Sequence, residues 1–462
     1  DYKVIEEKDN KLSGEYDLII IGGGSAAFAA SLKASELGRK VLMINEGLPI
    51  GGTCVNVGCV PSKTLIRTAE AFHNAQHPNF TGIKVGNSSI DFKEVIRQKQ
   101  ELVERLRNHK YIQVIKDDPN ITTLNGYAKL VPLGDGKTKV EVNSQIFSAP
   151  KILIATGSTT FIPDIPGLNE AGYYTHDTLY ELQELPEHLI IIGGRYIALE
   201  NAQMFSRLGS KVTILQRSLR ILPDEMPDVT ETLKENLESE GIEIKTGVKI
   251  KSVVRRTSTG ENKNGKVLIN AMVKDTDEII EGTHLMIAAG RKGNTQNLGL
   301  ESAGIETYGN GFIKTNEYCR TSVSNIFAAG DVTGEYLYVY TAAYEGALAV
   351  ENSFNDRQTK RDYSVLPWVI FTDPQVAGVG MDENQAYENK IDYEVSTIQL
   401  NDIPRSLAAR NTKGFIKLIR NKESDKLIGA RILAPEGSEL LMEISLAIKY
   451  GITVREIGRA HV

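Results

Sequence analysis

The feature that most constrains the fold is a glycine-rich turn between an apolar strand and a helix, which occurs twice in the chain. In the first copy, a predicted strand at residues 17–21 leads into Gly22-Gly-Gly24-Ser-Ala-Ala27 and then into a predicted helix. Gly22 permits the tight turn, Gly24 lets a pyrophosphate approach the backbone, and Ala27 keeps the helix close to the strand. Glycine turns also join strands to helices for structural reasons alone, but this order favours a nucleotide site.

An acidic side chain is expected about 20 residues after such a turn, where it accepts hydrogen bonds from a ribose. The next predicted strand, residues 40–44, ends at Asn45-Glu46. Glu46 is therefore the candidate ribose ligand, and Asn45 is the alternative occupant of the same position.

The second copy begins with a predicted strand at residues 190–192, followed by Gly193-Gly194 and a helix toward residue 208. Arg195 replaces the second glycine of the fingerprint, so close approach of this backbone to a phosphate cannot be assumed. The order of strand, turn and helix is nevertheless repeated.

The strand that follows the second copy ends without the carboxylate that suits an unphosphorylated ribose. It covers residues 211–215 and is followed by Gln216 and Arg217, with Arg220 nearby. A guanidinium can bind the additional 2′-phosphate of NADPH, so the pattern favours NADPH over NADH. The alternative interpretation is a solvated basic turn before the next helix.

Three further strand-like runs end in glycine turns. They are residues 151–155 before Thr156-Gly157, the run 285–290 that ends at Gly290, and residues 326–329 before Gly330-Asp331. Asp331 can accept a hydrogen bond from a cofactor hydroxyl, although an aspartate after glycine can equally cap a helix. The neighbouring motifs favour the cofactor role.

Two of the three cysteines, Cys54 and Cys59, are separated by only four residues. A disulfide across so short a loop would restrain little of the unfolded chain, so the pair is better suited to reversible redox chemistry. Structural zinc is the competing use, but two cysteines without a second Cys or His pair make an incomplete tetrahedral site. Cys319 is expected to be an inert thiol.

Composition excludes several classes of function. A chain of 462 residues with 41% hydrophobic residues can fill two or more domains, and a net charge of −6 gives no footprint for nucleic acid or anionic membranes. Three cysteines are compatible with a reducing compartment, and no export signal or membrane-length apolar run is found. The cytoplasm is the expected location.

Six motifs together resemble the flavin-dependent pyridine nucleotide disulfide oxidoreductases and span nearly the whole chain. They are Gly22-Gly-Gly24, Cys54 to Cys59, Pro61-Ser-Lys63, Ala155-Thr-Gly157, Tyr196-Ile-Ala-Leu-Glu200 and Gly330-Asp331. The resemblance implies FAD, a nicotinamide cofactor, a redox disulfide and a homodimer.

The same resemblance implies an α/β fold with two Rossmann-like nucleotide-binding domains and a C-terminal α+β dimerisation (interface) domain. The expected division is a flexible leader at 1–15, an FAD-binding domain at 16–160 and 289–361, an NADPH-binding domain at 161–288, and an interface domain at 362–462. No phosphate loop occurs after residue 362, which agrees with a role in association.

Finer features resemble the mercuric reductase branch of that family. They are Ser25-Ala-Ala-Phe28, Val60-Pro-Ser-Lys63, Phe371-Thr-Asp-Pro-Gln-Val376, and Ile403-Pro-Arg-Ser-Leu-Ala-Ala-Arg410 leading to Thr412-Lys-Gly-Phe-Ile-Lys417. The last stretch carries most weight because flavin binding cannot explain it. The implied substrate is Hg(II), which arrives as a thiol complex and is bound transiently by Cys54 and Cys59, because thiolates and mercury are both soft.

The resemblance also implies individual roles. Cys59 would lie against the flavin as the charge-transfer thiol, Cys54 would face substrate, Lys63 would pair with Glu200, and Tyr196 would cover the flavin until nicotinamide enters. The implied cofactor-binding residues are Gly22, Gly24, Ala27, Glu46, Gly52, Thr53, Lys63, Thr156, Gly157, Gly193, Gly194, Tyr196, Arg217, Arg220, Gly290, Gly330 and Asp331. Taken alone, Lys63, Glu200 and Tyr196 would be interpreted as a surface lysine, a solvated carboxylate and a packing tyrosine.

Two departures from the family pattern indicate either that the sequence, including the interface domain, is truncated at its C-terminus or that substrate reaches Cys54 by another route, and they predict poor turnover. Family members normally continue into a His-Pro segment with a downstream Glu, and His461 is the only candidate remnant of it here. Mercuric reductases also usually carry a C-terminal cysteine pair, which this sequence lacks, and no cysteine-bearing metal-binding domain precedes residue 16. The alternatives are an NADPH-dependent reductase of an organic disulfide, like glutathione reductase or dihydrolipoamide dehydrogenase, and a noncatalytic flavin and thiol metal-binding protein.

Overall fold

The computed structural model describes residues 15–86, 88–132, 138–256 and 265–460. The expected leader, apart from residue 15, and His461 lie outside the described residues. The chain forms two compact units, each assembled from separate stretches of sequence. The first comprises residues 15–62, Arg97–Phe161 and Gly290–Arg361, and the second comprises Lys63–Ile96, Ile162–Ala289 and residues 362–460.

The core of the first unit is a parallel sheet of five strands. In spatial order the strands are Ile326–Ala328, Lys151–Ile154, Leu18–Ile21, Val41–Asn45 and Ile121–Asn125. Numbered along the chain and read from the opposite edge, this order is 3-2-1-4-5, the order of dinucleotide-binding sheets. Buried apolar residues fill the strands, as expected for a parallel sheet covered on both faces.

Helices and two small antiparallel sheets complete the first unit. Its helices are Ser25–Glu36, Gly52–Asn56, the start of Cys59–Gln76, the end of Phe92–Arg107, the π-helix Asn108–Ile112, Gln113–Lys116, the 3₁₀ helix Asp331–Thr333 and Val339–Phe354. The small sheets pair Lys129–Pro132 with Thr138–Val142 and Gln145–Phe147, and Ser158–Thr160 with Arg291–Gly293.

The second unit contains a four-stranded parallel sheet. Its strand order matches the first four positions of the order in the first unit. In space its strands are Glu243–Thr246, Lys211–Gln216, His188–Ile192 and His284–Ile287, which is 3-2-1-4 in chain order. An antiparallel sheet of Val248–Arg256, Lys266–Val273 and Thr276–Gly282 packs with it in one hydrophobic cluster. The repeated order agrees with the two glycine fingerprints.

The remaining part of the second unit is an antiparallel sheet with helices. In spatial order its strands are Trp368–Ile370, Gln375–Gly380, Leu427–Ala434, Phe415–Asn421 and Tyr393–Gln399. The helices of the second unit are the end of Cys59–Gln76, the start of Phe92–Arg107, Leu168–Ala171, His176–Leu179, Tyr196–Leu208, Pro227–Ser239, Glu383–Glu388, Leu400–Asp402, Pro404–Ala409, Gly437–Leu440, Leu441–Lys449 and Val454–Ala460.

The predicted fold class is confirmed: two Rossmann-like sheets are followed by an α+β region. The fingerprint helices run from Ser25 to Glu36 and from Tyr196 to Leu208, close to the predicted bounds. The division into named domains stays a prediction. In the part of the chain that the structure describes, no helix has both the length and the apolar character needed to cross a membrane.

Close packing of small residues joins two helices of the first unit, Ser25–Glu36 and Val339–Phe354. Ala26, Ala30 and Ala34 are buried on the first helix, and Gly346 lies opposite on the second. A Cβ atom at Gly346 would lie 2.2 Å from the carbonyl oxygen of Ala26, so an alanine would force the helices apart.

We therefore expect Gly346→Ala to lower the free energy of unfolding by about 1–3 kcal/mol, the usual cost of overpacking. Gly458→Ala is the matched control, because Gly458 lies in the helix Val454–Ala460 with open space around its α-carbon. The control should be neutral or stabilising by up to about 1 kcal/mol. Thermal and urea unfolding of both variants measure the difference, and equal stability of the two would contradict the packing argument.

Candidate functional site

A cavity of about 470 Å³ lies in the first unit where strands of the parallel sheet end. The lining includes predicted cofactor residues from four separate stretches of the chain, namely Gly22, Gly24, Glu46, Gly52, Thr53, Thr156 and Gly157. It also includes residues that the sequence did not single out, among them Gly126, Tyr127, Lys292 and Asn294. Open α/β sheets bind ligands at this switch point between strands, and the volume is in the range of cofactor pockets.

Glycines are required at this edge by close backbone contacts. Gly22 has a φ of 129°, and a Cβ atom there would lie 2.1 Å from the carbonyl oxygen of Ala155. Gly52 has a φ of 60°, and its Cβ atom would lie 2.6 Å from the α-carbon of Gly24. The two glycine-bearing loops therefore meet directly, and Ala27 is fully buried beneath them.

Two polar side chains at the cavity fit a dinucleotide. Within the described residues, the buried hydroxyl of Thr156 has no hydrogen-bond partner, so a ligand atom can supply one. Glu46 is exposed at the cavity, whereas the amide of Asn45 donates to the carbonyl oxygen of Leu48 at 2.9 Å. The geometry thus favours Glu46 over Asn45 as the ribose ligand.

Asp331 lies outside the lining of this cavity, as do Gly330 and Gly290. The Asp331 carboxylate accepts a hydrogen bond from the Ser158 hydroxyl at 2.8 Å, and the Arg291 guanidinium donates to the same hydroxyl at 2.7 Å. The backbone N–H of Gly330 donates to the buried carboxylate of Glu345 at 2.6 Å. The turn is therefore held from both sides, by partners that sequence motifs did not reveal.

The two cysteines lie on consecutive helices that follow the cavity-lining residues Gly52 and Thr53. Cys54 belongs to the helix Gly52–Asn56, and Cys59 begins the helix Cys59–Gln76. Gly58 allows the chain to return, because its Cβ atom would lie only 3.3 Å from the α-carbon of Cys54 and 2.9 Å from the oxygen of Thr53. Both cysteines are partly exposed, as a reacting pair requires.

Asn56 fixes the helix that carries Cys54. Its side-chain amide donates to the carbonyl oxygens of Pro49 and Gly52 at 2.9 and 2.8 Å, and its own oxygen accepts from Arg107 at 3.1 Å. The asparagine is buried, so these bonds also satisfy its polar atoms. The motif spacing gave no reason to select it.

Tyr111 is a further residue near the sulfur atoms, and sequence reasoning missed it. Burial is the main cause that raises the pKa of its phenol, and negative charge on Cys54 is the second. A hydrogen bond with Ser25 lowers the pKa, and the charge of Cys59 raises it slightly. Tyr111 lies in the π-helix Asn108–Ile112, a rare helical form that is frequent at functional sites.

In the second unit, Lys63 and Glu200 form an ion pair, which is the pairing implied by the resemblance. Lys63 Nζ lies 2.7 Å from Glu200 Oε2, and the side chains are 35% and 8% exposed. The other carboxylate oxygen accepts from the backbone N–H of Phe371 at 2.9 Å. Tyr196 lies one turn before Glu200 on the helix Tyr196–Leu208, so both project from one face.

The second fingerprint has the same backbone contact as the first. Gly193 has a φ of 129°, and a Cβ atom there would lie 2.2 Å from the carbonyl oxygen of Ala288. A Cβ atom at Gly194 would lie 3.0 Å from the side chain of Gln216. Arg195 has an extended φ of −103° at the helix N-cap and pairs with Asp224, so this position does not require glycine.

The predicted arginines of the nicotinamide site lie after the strand Lys211–Gln216. Arg217 is exposed and Arg220 is partly exposed. Gln216 occupies the position expected for a carboxylate, and its amide donates to the carbonyl oxygen of Arg220 at 3.3 Å. The end of this strand therefore carries no acidic side chain that could accept hydrogen bonds from a ribose.

The third cysteine, Cys319, lies in a hydrophobic core of the first unit. Cys319 is fully buried, and burial raises the pKa of its thiol to about 12, so it is inert as expected.

Across the described ranges, no group of three or more His, Cys, Asp or Glu side chains could hold a metal ion. A structural zinc site at Cys54 and Cys59 thus lacks further protein ligands there.

Two family models match the chain. Residues 16–346 match the model described as pyridine nucleotide-disulphide oxidoreductase, and residues 366–461 match the model for the dimerisation domain of the same family. The two matches lie in the same order as the expected nucleotide-binding and interface regions. The resemblance predicted from the motifs is thereby confirmed.

Relatives of known function cover almost the whole chain. The mercuric reductase of Staphylococcus aureus is 40% identical over 450 residues, which is 97% of this chain and 80% of that protein. The mercuric reductase of Lysinibacillus sphaericus is 41% identical over 442 residues, or 96% and 79% of the two chains. Among solved structures, the HOCl-induced flavoprotein disulfide reductase RclA from Escherichia coli is similar with a TM-score of 0.83 and 29% identity, covering 95% of this chain and 94% of that chain.

Proposed function

The chain belongs to the pyridine nucleotide-disulphide oxidoreductase family and is a flavoprotein disulfide oxidoreductase; on that premise, we propose that it reduces Hg(II) to Hg(0) with NADPH. FAD would occupy the cavity of the first unit, and Cys54 and Cys59 would be the redox pair. The observation that most supports this is the placement of the pair: Cys54 directly follows Gly52 and Thr53, which line that cavity.

The overall reaction balances as NADPH plus Hg(II) giving NADP⁺, H⁺ and Hg(0). Bound FAD supplies the two-electron link between the nicotinamide and the sulfur pair. Cys54 and Cys59 first accept two electrons and two protons, which breaks their disulfide and gives two thiols. Their thiolates would then displace the thiol ligands of Hg(II) by exchange, with the Cys59 sulfur toward the flavin. Because this priming step leaves its two electrons in the dithiol, a second NADPH would supply, through the bound flavin, the electron pair that reduces Hg(II) to Hg(0). The overall reaction above is that of this second NADPH.

Nearby side chains support this chemistry by charge and by hydrogen bonding. Burial, and after it the charge of the nearby Cys54, raises the pKa of the Tyr111 phenol, so the phenol stays protonated and available as a donor to sulfur or metal-bound ligands. The Lys63 ammonium, paired with Glu200, would stabilise negative charge on reduced flavin. Tyr196 would cover the flavin until the nicotinamide arrives.

Reduction of an organic disulfide is the second candidate. The structural similarity to RclA, described as a flavoprotein disulfide reductase, favours it, because an exposed dithiol attacks disulfides and thiol-bound metal by the same nucleophilic step. Turnover with glutathione disulfide or lipoamide but not with Hg(II) would select this candidate. Stoichiometric binding of Hg(II) without turnover would instead indicate a metal-binding flavoprotein.

We expect FAD-loaded protein to oxidise NADPH faster when Hg(II) and excess thiol are added, with release of mercury vapour. Cys54→Ser and Cys59→Ser should each lower that rate by at least about 100-fold. A serine hydroxyl is a hard ligand and, unlike a cysteine thiol, does not ionise near neutral pH. Cys59→Ser should also remove the long-wavelength absorbance of a thiolate beside flavin.

Cys319→Ser is the matched control for this experiment, since Cys319 is buried in the core and inert, and it should keep the parental rate. NADPH oxidation that is no faster with Hg(II) than without it would remove the assignment as a mercuric reductase. Persistence of the long-wavelength band in Cys59→Ser would remove the role of Cys59.

The cofactor preference is tested by Arg217→Ala and Arg220→Ala. Each should raise KM for NADPH about tenfold and leave KM for NADH nearly unchanged, because a charge-assisted bond to the 2′-phosphate contributes about 1.5 kcal/mol or more. Arg256→Ala, another exposed arginine of the second unit, is the control. Equal loss with both nucleotides would show that these arginines do not discriminate the 2′-phosphate.

We also propose a homodimer, because the C-terminal region matches a dimerisation domain. An exposed apolar stripe on and just after the helix Leu441–Lys449 supports this: Met442, Leu446 and Tyr450 are 66%, 48% and 72% exposed at a spacing of four residues. Residues four apart lie on one face of a helix, so the stripe can pack against a second copy.

Leu446→Glu should therefore shift the protein from dimer to monomer at micromolar concentration, since a buried unpaired carboxylate opposes association. Light scattering coupled to size exclusion measures the mass. Ile279→Glu, at a strand position that is 70% exposed outside the dimerisation region, is the control and should remain dimeric. A Leu446→Glu protein that stays fully dimeric would place the interface elsewhere.

A further inference from the structure

Phe371 contacts both members of the Lys63–Glu200 ion pair. Its backbone N–H donates to Glu200 Oε1 at 2.9 Å, and the centre of its ring lies 4.7 Å from Lys63 Nζ. The second carboxylate oxygen, Glu200 Oε2, lies 2.7 Å from Lys63 Nζ. The three residues thus form a closed triangle within the second unit.

Each side of this triangle satisfies a different physical need. Glu200 is only 8% exposed, so a charge there requires partners for both oxygens, and Lys63 and the Phe371 N–H supply them. Lys63 is 35% exposed and has a long flexible stem, so the carboxylate alone leaves it rotational freedom. The negative face of the Phe371 ring attracts the ammonium and narrows that freedom.

The position of Phe371 is itself fixed by the helix Tyr196–Leu208. Besides the bond to Glu200, the segment after the strand Trp368–Ile370 is bound through Gln203, which exchanges two 2.7 Å hydrogen bonds with the backbone of Asp373. Arg207 donates to the carboxylate of Asp373 at 3.0 Å. Successive turns of one helix therefore hold the chain at Phe371 and at Asp373, two residues further on.

We propose that Phe371 is a positioning residue that acts through Lys63. The ring holds the ammonium at one place, so its positive charge is available to stabilise the electron-rich state of the flavin and the adjoining thiolate. This inference rests on the proposed function only in assigning Lys63 to the flavin side of the site. Phe371 itself makes no contact with substrate in this scheme.

The test is the midpoint potential of the bound flavin, measured by reductive titration without mercury. Phe371→Leu keeps the backbone N–H and an apolar side chain but removes the ring face. We expect the equilibrium constant for two-electron reduction of the flavin to fall about threefold, a change within the range of a partly exposed cation–π contact. This corresponds to a midpoint potential lower by about 14 mV. Phe371→Tyr keeps a ring face, so its flavin should have the parental midpoint potential.

The Lys63→Met background separates positioning from a general structural effect. With the ammonium removed, Phe371→Leu should cause no further change in potential. A Phe371→Leu shift of the same size in both backgrounds would overturn the proposal, as would a parental potential in Phe371→Leu itself. Phe371→Met, which also lacks a ring but has a flexible apolar side chain, replaces the leucine variant if that protein does not fold.

Failure of this inference can be told apart from failure of the proposed function. If the parental protein does not turn over Hg(II) but the flavin potentials of all variants are as expected, only the substrate assignment is contradicted. Normal Hg(II) turnover, with midpoint potentials that do not change when Phe371 is substituted, would count against the positioning role alone.

Discussion

Both nucleotide-type sheets depend on a glycine whose α-carbon lies against the carbonyl group of the residue that directly follows a neighbouring strand. A side chain at Gly22 would overlap the oxygen of Ala155, and one at Gly193 would overlap the oxygen of Ala288. Ala155 and Ala288 are held at the strand ends by hydrogen bonds from their backbone N–H groups to Ile21 and Ile192, so their carbonyls cannot easily move aside and only glycine lets the turn close. The contact brings the glycine turn against the end of the neighbouring strand, and in the first unit the segments that leave the same edge supply the candidate cofactor residues.

Local pattern was sufficient to predict the parallel strands and the fingerprint helices, because each depends on neighbours within one strand–turn–helix unit. It also placed Glu46 at a strand end that lines the cavity, whereas its role as ribose ligand stays a prediction. It could not predict Tyr111, whose relation to Cys54 arises from folding of a distant π-helix. Nor could it predict Gly58 as the residue that lets the chain return to Cys54, because that need appears only when the backbones meet. Sequence thus revealed the groups with intrinsic reactivity, and the fold revealed the groups that place them.

The departure at Arg195 illustrates why a fingerprint is weaker than the geometry it stands for. The backbone there is extended, so no left-handed conformation demands glycine, and the side chain extends to Asp224 at the surface. Gly193, by contrast, has both a positive φ and a blocked Cβ position. The first position of the motif is therefore set by the fold, whereas the position of Arg195 is set only by how closely a ligand must approach.

The helix Tyr196–Leu208 carries an unusual row of buried polar side chains, and their desolvation must be offset. Glu200, Gln203 and Arg207 are all less than 10% exposed, and each bonds to the segment that begins at Phe371. Because removal of either side would leave a buried charge or amide without its partner, the helix and that segment stabilise each other. The segment belongs to the region matched by the dimerisation model, so the location of the Lys63 ammonium depends on the C-terminal part of the chain as well as on the nucleotide-binding part.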